Sequence, residues 1–169
     1  MSKSRIGQGF DVHPFGDDGS QLVLGGVAFD GRGLAGHSDG DVVAHAVADA
    51  LLGAAALPDL GSMFPATDER YRDASSIGLL REIAGRVSAA GWQLGNVDVV
   101  VAAERPLLAP HVRSMTDNLY HALVPLFPEP GAQNLVSVKP KRGEGLGAIG
   151  RGEGVAVWAV ALLESVDTR

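Results

Sequence analysis

Apolar and polar positions change rhythm several times along the chain, and Gly, Asp and Pro mark the changes. Alternation with period two predicts strands over residues 5–13 and 21–29, the second reading QLVLGGVAF, around a Gly- and Asp-rich turn at 15–20. The two strands read as a hairpin. Residues 31–40, GRGLAGHSDG, are a loop in which Ser38 or Asp39 is placed to cap a helix over residues 41–57, DVVAHAVADALLGAAAL, ending before Pro58. A second helix over residues 74–90 closes on Gly91, with Leu79, Leu80, Ile83 and Val87 along its buried stripe. The run NVDVVVAA at 96–103 predicts a mostly buried strand. Residues 111–127 resume a helical pattern before Pro128, and residues 135–138 and 155–163 are further strands. This order predicts an α+β sandwich, one domain over residues 1–169, in which a mixed β-sheet carries helices on one face. The last strand, VAVWAVALL, is apolar on both sides, so its second face requires a cover that a subunit interface would supply.

Composition narrows the chemistry. A chain of 169 residues suits one domain with a real core. Without Cys there is neither a disulfide framework nor a thiolate metal site, so any metal rests on His and carboxylates. A net charge of -6 argues against a broad nucleic-acid footprint and leaves room only for a local basic patch. No apolar run reaches the ~20 residues of a membrane span, and MSKSRIGQGF lacks the apolar core of a signal peptide. The expectation is a cytoplasmic protein that binds neither nucleic acid nor membrane. Gly is the outlier at 23 of 169, against a usual share of about 7%. That surplus points to loops, and six of the 23 fall within residues 143–154.

Three segments carry candidate chemistry. In Asp11-Val12-His13 a carboxylate and an imidazole two residues apart point to the same side of a strand. His45 lies one turn beyond Asp41 and one before Asp49 on a polar helix face. Together Asp11, His13 and His45 offer one oxygen and two nitrogens, a set that suits zinc and leaves a fourth position for water or a phosphate oxygen. The plainer reading is a His13 that ends a strand and a His45 that faces solvent. At His37-Ser38-Asp39-Gly40-Asp41, unpaired N–H groups at a helix start, with His37 and Ser38, offer an anion seat, or else an ordinary cap. Residues 139–154, KPKRGEGLGAIGRGEG, join glycines to four of the 14 Lys and Arg residues. Glycines let backbone N–H groups approach a phosphate, Lys and Arg neutralise it, and Glu144 can hold Mg²⁺ against a diphosphate. No Lys followed by Ser or Thr closes it as a P-loop, and a flexible surface loop explains it equally. Finally, Pro58-Asp59-Leu60-Gly61 is either a turn or a place where Asp59 accepts ribose hydroxyls.

Taken in order, GFDVH, LAGHSDGDVVAHAVADALLGAAALPDLG, the FP-x-TD of residues 64–68, NVDV, the P-x-x-x-PH of residues 106–111 and GRGEG resemble the 2-C-methyl-D-erythritol 2,4-cyclodiphosphate synthase family of non-mevalonate isoprenoid biosynthesis. The likeness is collinear through nearly the whole chain. It implies an α+β homotrimer with active sites between neighbouring subunits, and an enzyme of the phosphorus–oxygen lyase class. In that family the 2-phosphate of 4-diphosphocytidyl-2-C-methyl-D-erythritol 2-phosphate attacks the β-phosphorus, CMP leaves and the cyclic diphosphate closes. On the same resemblance Asp11, His13 and His45 hold zinc or another divalent transition metal, and the β-phosphate fills the open position. His37 stabilises charge on the phosphates with Ser38 beside it. Asp59 and Gly61 hold the ribose, Phe64 and Asp68 line the methylerythritol end, and Glu144 holds the Mg²⁺ or Mn²⁺ that bridges the phosphates. Arg151 and Glu153 fall near the trimer axis, beside a central cavity that can take an isoprenoid diphosphate. An in-line displacement of this kind runs on positioning and charge neutralisation, so no nucleophilic Ser or triad is expected. The alternatives are a zinc-dependent phosphohydrolase on a related nucleotide and a non-catalytic trimer that binds an isoprenoid diphosphate or CMP.

The chain departs from the family pattern in four places. Ala66 stands where Asp is usual, Leu107 where Lys is usual, Lys141-Arg142-Gly143 where a run of Thr is usual, and Ala148 where Phe is common near the cavity. The net change is a gain of two positive charges. One reading is compensation, in which Lys141 or Arg142 takes over from the Thr hydroxyls and from the missing Lys, so that Arg142 is catalytic and both cations bind substrate. The other is a shifted substrate.

Overall fold

The computed structural model describes residues 3–17, 19–36, 38–71, 74–127 and 133–166. In chain order the strands are β1 (Ser4–Pro14), β2 (Leu22–Leu24), β3 (Val27–Phe29), β4 (Trp92–Ala102), β5 (Val136–Lys141) and β6 (Gly154–Ser165). The helices are α1 (Val42–Ala55), α2 (Leu60–Met63), α3 (Ser76–Ala89), α4 (Val112–Leu123) and α5 (Gly147–Gly150). The main sheet has the order β1-β6-β4-β5. β6 runs antiparallel to both neighbours and β4 runs parallel to β5, so the sheet is mixed, and α4 lies in the crossover that the parallel pair requires.

α1 lies across β1 and β6, and α3 and α4 continue the layer over β4 and β5, so the helices cover one face as predicted. Val155, Val157, Ala159, Ala161 and Leu163 of β6 are buried beneath that layer. The alternate residues turn the other way. There Trp158 and Val160 stand beside Ile6, Phe10 and Val12 of β1, each of the five at least 40% exposed. Phe10 and Trp158 are register partners with ring centroids 5.2 Å apart. The doubly apolar strand therefore has one covered face and one open apolar stripe.

Three expectations need correction. Residues 5–13 and 21–29 do not form a hairpin with each other. β1 pairs with β6 from Ser4 opposite Glu164 to Pro14 opposite Gly154, while the second run folds on itself as β2 and β3. Gly25 and Gly26 have φ of 57° and 70°, the positive pair that a two-residue hairpin turn demands, and they split the run in its middle. Second, α1 is capped by Asp41 rather than by Ser38 or Asp39. Third, the helix expected over 111–127 is α4 alone, with short 3₁₀ turns at Ala109–His111 and Val124–Leu126, the latter holding Pro125, which lacks the N–H that a continuing helix needs. The second helix agrees more closely: Leu80, Ile83 and Val87 are buried and Leu79 is half-buried.

Candidate metal centre and neighbouring cleft

The odd-numbered positions of β1 from Gly7 to His13 face α1. A Cβ on Gly7 would lie 2.0 Å from the Ala50 carbonyl oxygen, and one on Gly9 would lie 1.9 Å from that of Ala46. Only bare backbone allows this approach. The pairings also show that α1 runs antiparallel to β1, so the next residues in the row, Asp11 and His13, meet the first turns of the helix and His45. Part of the Gly surplus thus serves close packing in regular structure rather than loops.

Asp11 sits between the two imidazoles: its Oδ2 is 3.0 Å from His45 Nδ1 and its Oδ1 is 3.3 Å from His13 Nε2. One ligand atom from each of the three residues lies within 4.8 Å of the others. A tetrahedral ion with bonds of ~2.0–2.1 Å spaces its ligand atoms about 3.3 Å apart, a spacing that both Asp11–imidazole contacts approach, so the donor set suits zinc. His45 is mostly buried, which removes the solvent-facing reading. The far nitrogens are committed elsewhere. His13 Nδ1 donates to the Ala35 carbonyl at 2.5 Å, leaving the Nε2 lone pair for the centre, and His45 Nε2 lies 2.9 Å from Ser76 Oγ and 3.1 Å from Ser38 Oγ. Burial disfavours ionised Asp11, but the two imidazoles that flank it outweigh burial and hold the carboxyl well below its ordinary range. The bond to Asp11 pushes His13 the other way, upward.

His37 lies outside the described residues. Ser38 reaches the cluster through His45, but the expected anion seat on the helix start is already taken. Asp41, fully buried, accepts from Val43 and Ala44 at the start of α1 and from Gly25 and Gly26 in the β2–β3 turn, at 2.6–3.2 Å. Its carboxylate occupies the place of a bound anion and ties hairpin to helix.

Asp59 caps α2 through a 2.7 Å bond from the Ser62 N–H and is otherwise exposed, as is Gly61. Asp49, one turn beyond His45, accepts from Leu60 N at 2.9 Å and so holds α2 beside the cluster. Phe64 is buried, edge-on to Tyr71 at 5.1 Å with the Arg86 guanidinium 5.7 Å from its ring. Asp68 is clasped by Arg70, at 2.6 Å from Nη2 and 3.0 Å from Nε.

The basic segment is elsewhere. Val12, Ala156, Ala102 and Lys141 stand in one row across the sheet, and three strand spacings make that row about 14 Å long. One chain therefore does not bring Lys141, Arg142 and Glu144 onto Asp11. Nor is the segment loosely draped. A Cβ on Gly143 would meet Gly150 N at 2.4 Å, and Leu146 N donates to Gly143 O at 2.8 Å, so the loop closes on its own backbone. Arg142 pairs with Glu104, Glu144 is exposed with φ of 50°, and Arg151 pairs with Glu153 at 2.6 Å. Beside this loop lies a cleft of about 850 Å³ lined by Leu22, Arg32, Glu104, Leu107, Lys141 and Arg142 among others, a volume that suits a small-molecule ligand.

Sequence reasoning missed Ser76, Asp39 as its partner, and Glu104. Each touches a residue more than 30 positions away, and only Asp39 lies within a segment singled out.

The model of the YgbB family matches residues 4–164. The chain is 54% identical over 168 residues to the 2-C-methyl-D-erythritol 2,4-cyclodiphosphate synthase of Rubrobacter xylanophilus, covering 97% of each. It is 53% identical over 161 residues to the bifunctional enzyme IspD/IspF of an Anaeromyxobacter species, covering 95% of this chain and 40% of that longer relative. The solved structure of IspF from Plasmodium falciparum as a CDP complex superposes with a TM-score of 0.80 at 31% identity, covering 96% of both chains. By a family match through nearly its whole length and by the identity of these relatives, the chain belongs to the YgbB family.

Proposed function

We propose that this protein converts 4-diphosphocytidyl-2-C-methyl-D-erythritol 2-phosphate to 2-C-methyl-D-erythritol 2,4-cyclodiphosphate and CMP, as a phosphorus–oxygen lyase of non-mevalonate isoprenoid biosynthesis in the cytoplasm. The observation that carries the reading is the Asp11, His13 and His45 cluster in a chain more than half identical to a cyclodiphosphate synthase. In the reaction an oxygen of the 2-phosphate bonds to the β-phosphorus, the bond from that phosphorus to the bridging oxygen breaks, and CMP departs with that oxygen. Zinc, or another divalent transition metal held by these three residues, supplies charge neutralisation at the phosphates. Both imidazoles are committed through their far nitrogens, so neither serves as a free general base, in keeping with a displacement that moves few protons. His37 and Ser38 steady the phosphates. Asp59 and Gly61 hold the ribose, with Asp59 Oδ1 engaged by Ser62. Phe64 and Asp68, the latter after exchanging Arg70, line the methylerythritol end.

The same reading includes a homotrimer. The open apolar stripe of β1 and β6 supports it, and so does the separation of the metal cluster from the basic loop, since a neighbouring copy can supply the second half of each site. Lys141, Arg142 and Glu144 then face the diphosphate, with Mg²⁺ or Mn²⁺ on Glu144. Arg151 and Glu153 stand at the axis, where an isoprenoid diphosphate in a central cavity would compete with their ion pair.

The purified chain, given the cytidyl substrate with zinc and Mg²⁺, is expected to release CMP and to give the ring coupling of a cyclic diphosphate in phosphorus NMR. Asp11→Ala is expected to lower turnover by about a hundredfold or more. An opened bisphosphate would assign the chain to the hydrolases, and zinc uptake without CMP release would make it a binding protein.

A further inference from the structure

Ser76 is the first residue of α3 and is 2% exposed, yet its hydroxyl is directed toward His45 rather than toward its own helix. Asp39 holds it twice: Asp39 Oδ1 lies 2.5 Å from Ser76 Oγ, and Asp39 Oδ2 accepts from Ser76 N at 3.0 Å. A carboxylate only accepts, so the single hydroxyl proton of Ser76 is committed to Asp39. What Ser76 Oγ presents to His45 Nε2, 2.9 Å away, is a lone pair, and the hydrogen in that contact belongs to the imidazole. Ser38 Oγ, 3.2 Å from Ser76 Oγ and 3.1 Å from His45 Nε2, fits the same pattern by accepting from one and donating to the other.

We propose that Ser76, oriented by Asp39, is a positioning residue for His45: it takes the Nε2 hydrogen and leaves the Nδ1 lone pair on the side of Asp11, where a metal is held. The inference rests on the metal reading above. It also explains why two loops distant in sequence meet here. Asp39 accepts from Asp41 N at 3.2 Å as well as from Ser76, so the segment that leads into α1 and the start of α3 are locked together around one imidazole.

The test uses the full chain, zinc competition against a chromophoric chelator, and ¹⁵N NMR of the imidazoles. In the zinc-loaded wild type, His45 is expected to carry its hydrogen on Nε2 and His13 on Nδ1. Ser76→Ala is expected to weaken zinc binding by about 10- to 100-fold, while Ser76→Thr, which keeps the hydroxyl, stays near wild type. Asp39→Asn preserves shape and so guards against a folding artefact. With its amide oxygen kept on Ser76 N, the shorter of the two backbone bonds that Asp39 accepts, its NH₂ turns toward Ser76 Oγ at the loss of the bond from Asp41 N, frees the hydroxyl proton for His45 Nε2, and is expected to weaken zinc. Ser75→Ala removes the cap bond to Gly78 N and touches nothing at His45, so it lowers Tm without changing zinc affinity. Wild-type zinc affinity in both Ser76→Ala and Asp39→Asn, or a zinc-loaded wild type in which His45 binds through Nε2, overturns the proposal. If the wild type itself takes up no zinc, or Asp11→Ala binds it equally well, the metal reading fails instead.

Discussion

The two ends of the row from Val12 to Lys141 are built on different principles. At the β1 end, Asp11, His13 and His45 stand on a strand and a helix, half-buried or more, and each imidazole is gripped by a partner outside the cluster. At the β5 end, Lys141 closes the strand and Arg142 and Glu144 stand on the exposed loop that follows, whose polar contacts are the Arg142–Glu104 ion pair and its own backbone. Glycine shows the contrast most clearly. Gly7 and Gly9 have no room for a Cβ, whereas Gly145 and Gly147 have open space and positive φ of 76° and 60°. The first pair exists so that two elements can touch, the second so that a chain can turn. A centre that must hold a small ion to a fraction of an ångström sits on the rigid end, and the end that departs from the family pattern has exposed side chains at Lys141, Arg142 and Glu144 that can change without touching the core.

That contrast breaks first at Gly9. Gly9→Val puts atoms where the Ala46 carbonyl already lies, and is expected to prevent folding or to cost at least ~3 kcal/mol, with zinc binding lost. Gly145→Ala only strains a left-handed residue in open space and is expected to cost about 1 kcal/mol. Urea titrations of both proteins check the pair, and equal losses would erase the distinction. Next comes Asp41→Ala, which strands the Val43, Ala44, Gly25 and Gly26 amides in the interior. The expected loss is about 2–4 kcal/mol, read by the same titration.

The rigid end was also the more legible one. D-x-H and the i, i+4 spacing of Asp41, His45 and Asp49 are periodic signals, and α1 and β6 kept the periods they showed in the sequence. Strand partners carry no such local mark: β1 finds β6 some 150 residues away, while Gly25-Gly26, the one true hairpin signal, lay inside a run that read as a single strand. Ser76 was invisible because a helix expected from residue 74 takes in both serines, whereas Ser75 caps α3 and Ser76 opens it, and Asp39 was hidden behind its reading as a cap for α1. Glu104 stayed hidden for a similar reason, since an acidic residue in a loop carries no sign of the arginine 38 positions later that will meet it.

The open sheet face offers a way to sharpen the comparison between one chain and the proposed trimer. Trp158→Glu places a charge in the apolar stripe beside Phe10 without disturbing the buried face of β6. Sizing by light scattering is expected to show monomers that keep zinc on Asp11, His13 and His45 but release no CMP. A trimer that persists through this change would move the interface to another surface, and an active monomer would contradict a site divided between subunits.

The smallest expected effect lies at the departing loop. Arg142 does not hang free over the cleft: its guanidinium is on Glu104, and that pairing holds the Glu104 carboxyl below its usual range. If Arg142 compensates for Leu107 and the absent Thr run, it must do so from this tethered position, with Lys141 as the cation free to move. Arg142→Ala is then expected to change KM or kcat by about tenfold, the scale of one charge-assisted contact to a phosphate. Glu104→Gln separates tether from contact. It keeps the arginine while weakening its anchor, and is expected to raise KM less than Arg142→Ala does, with kcat nearly unchanged. Steady-state kinetics on both variants decide between the two readings. Unchanged parameters in Arg142→Ala would rule out compensation by this residue and leave the shifted substrate, with Ala66 and Leu107 reshaping the pocket, as the account of the departures.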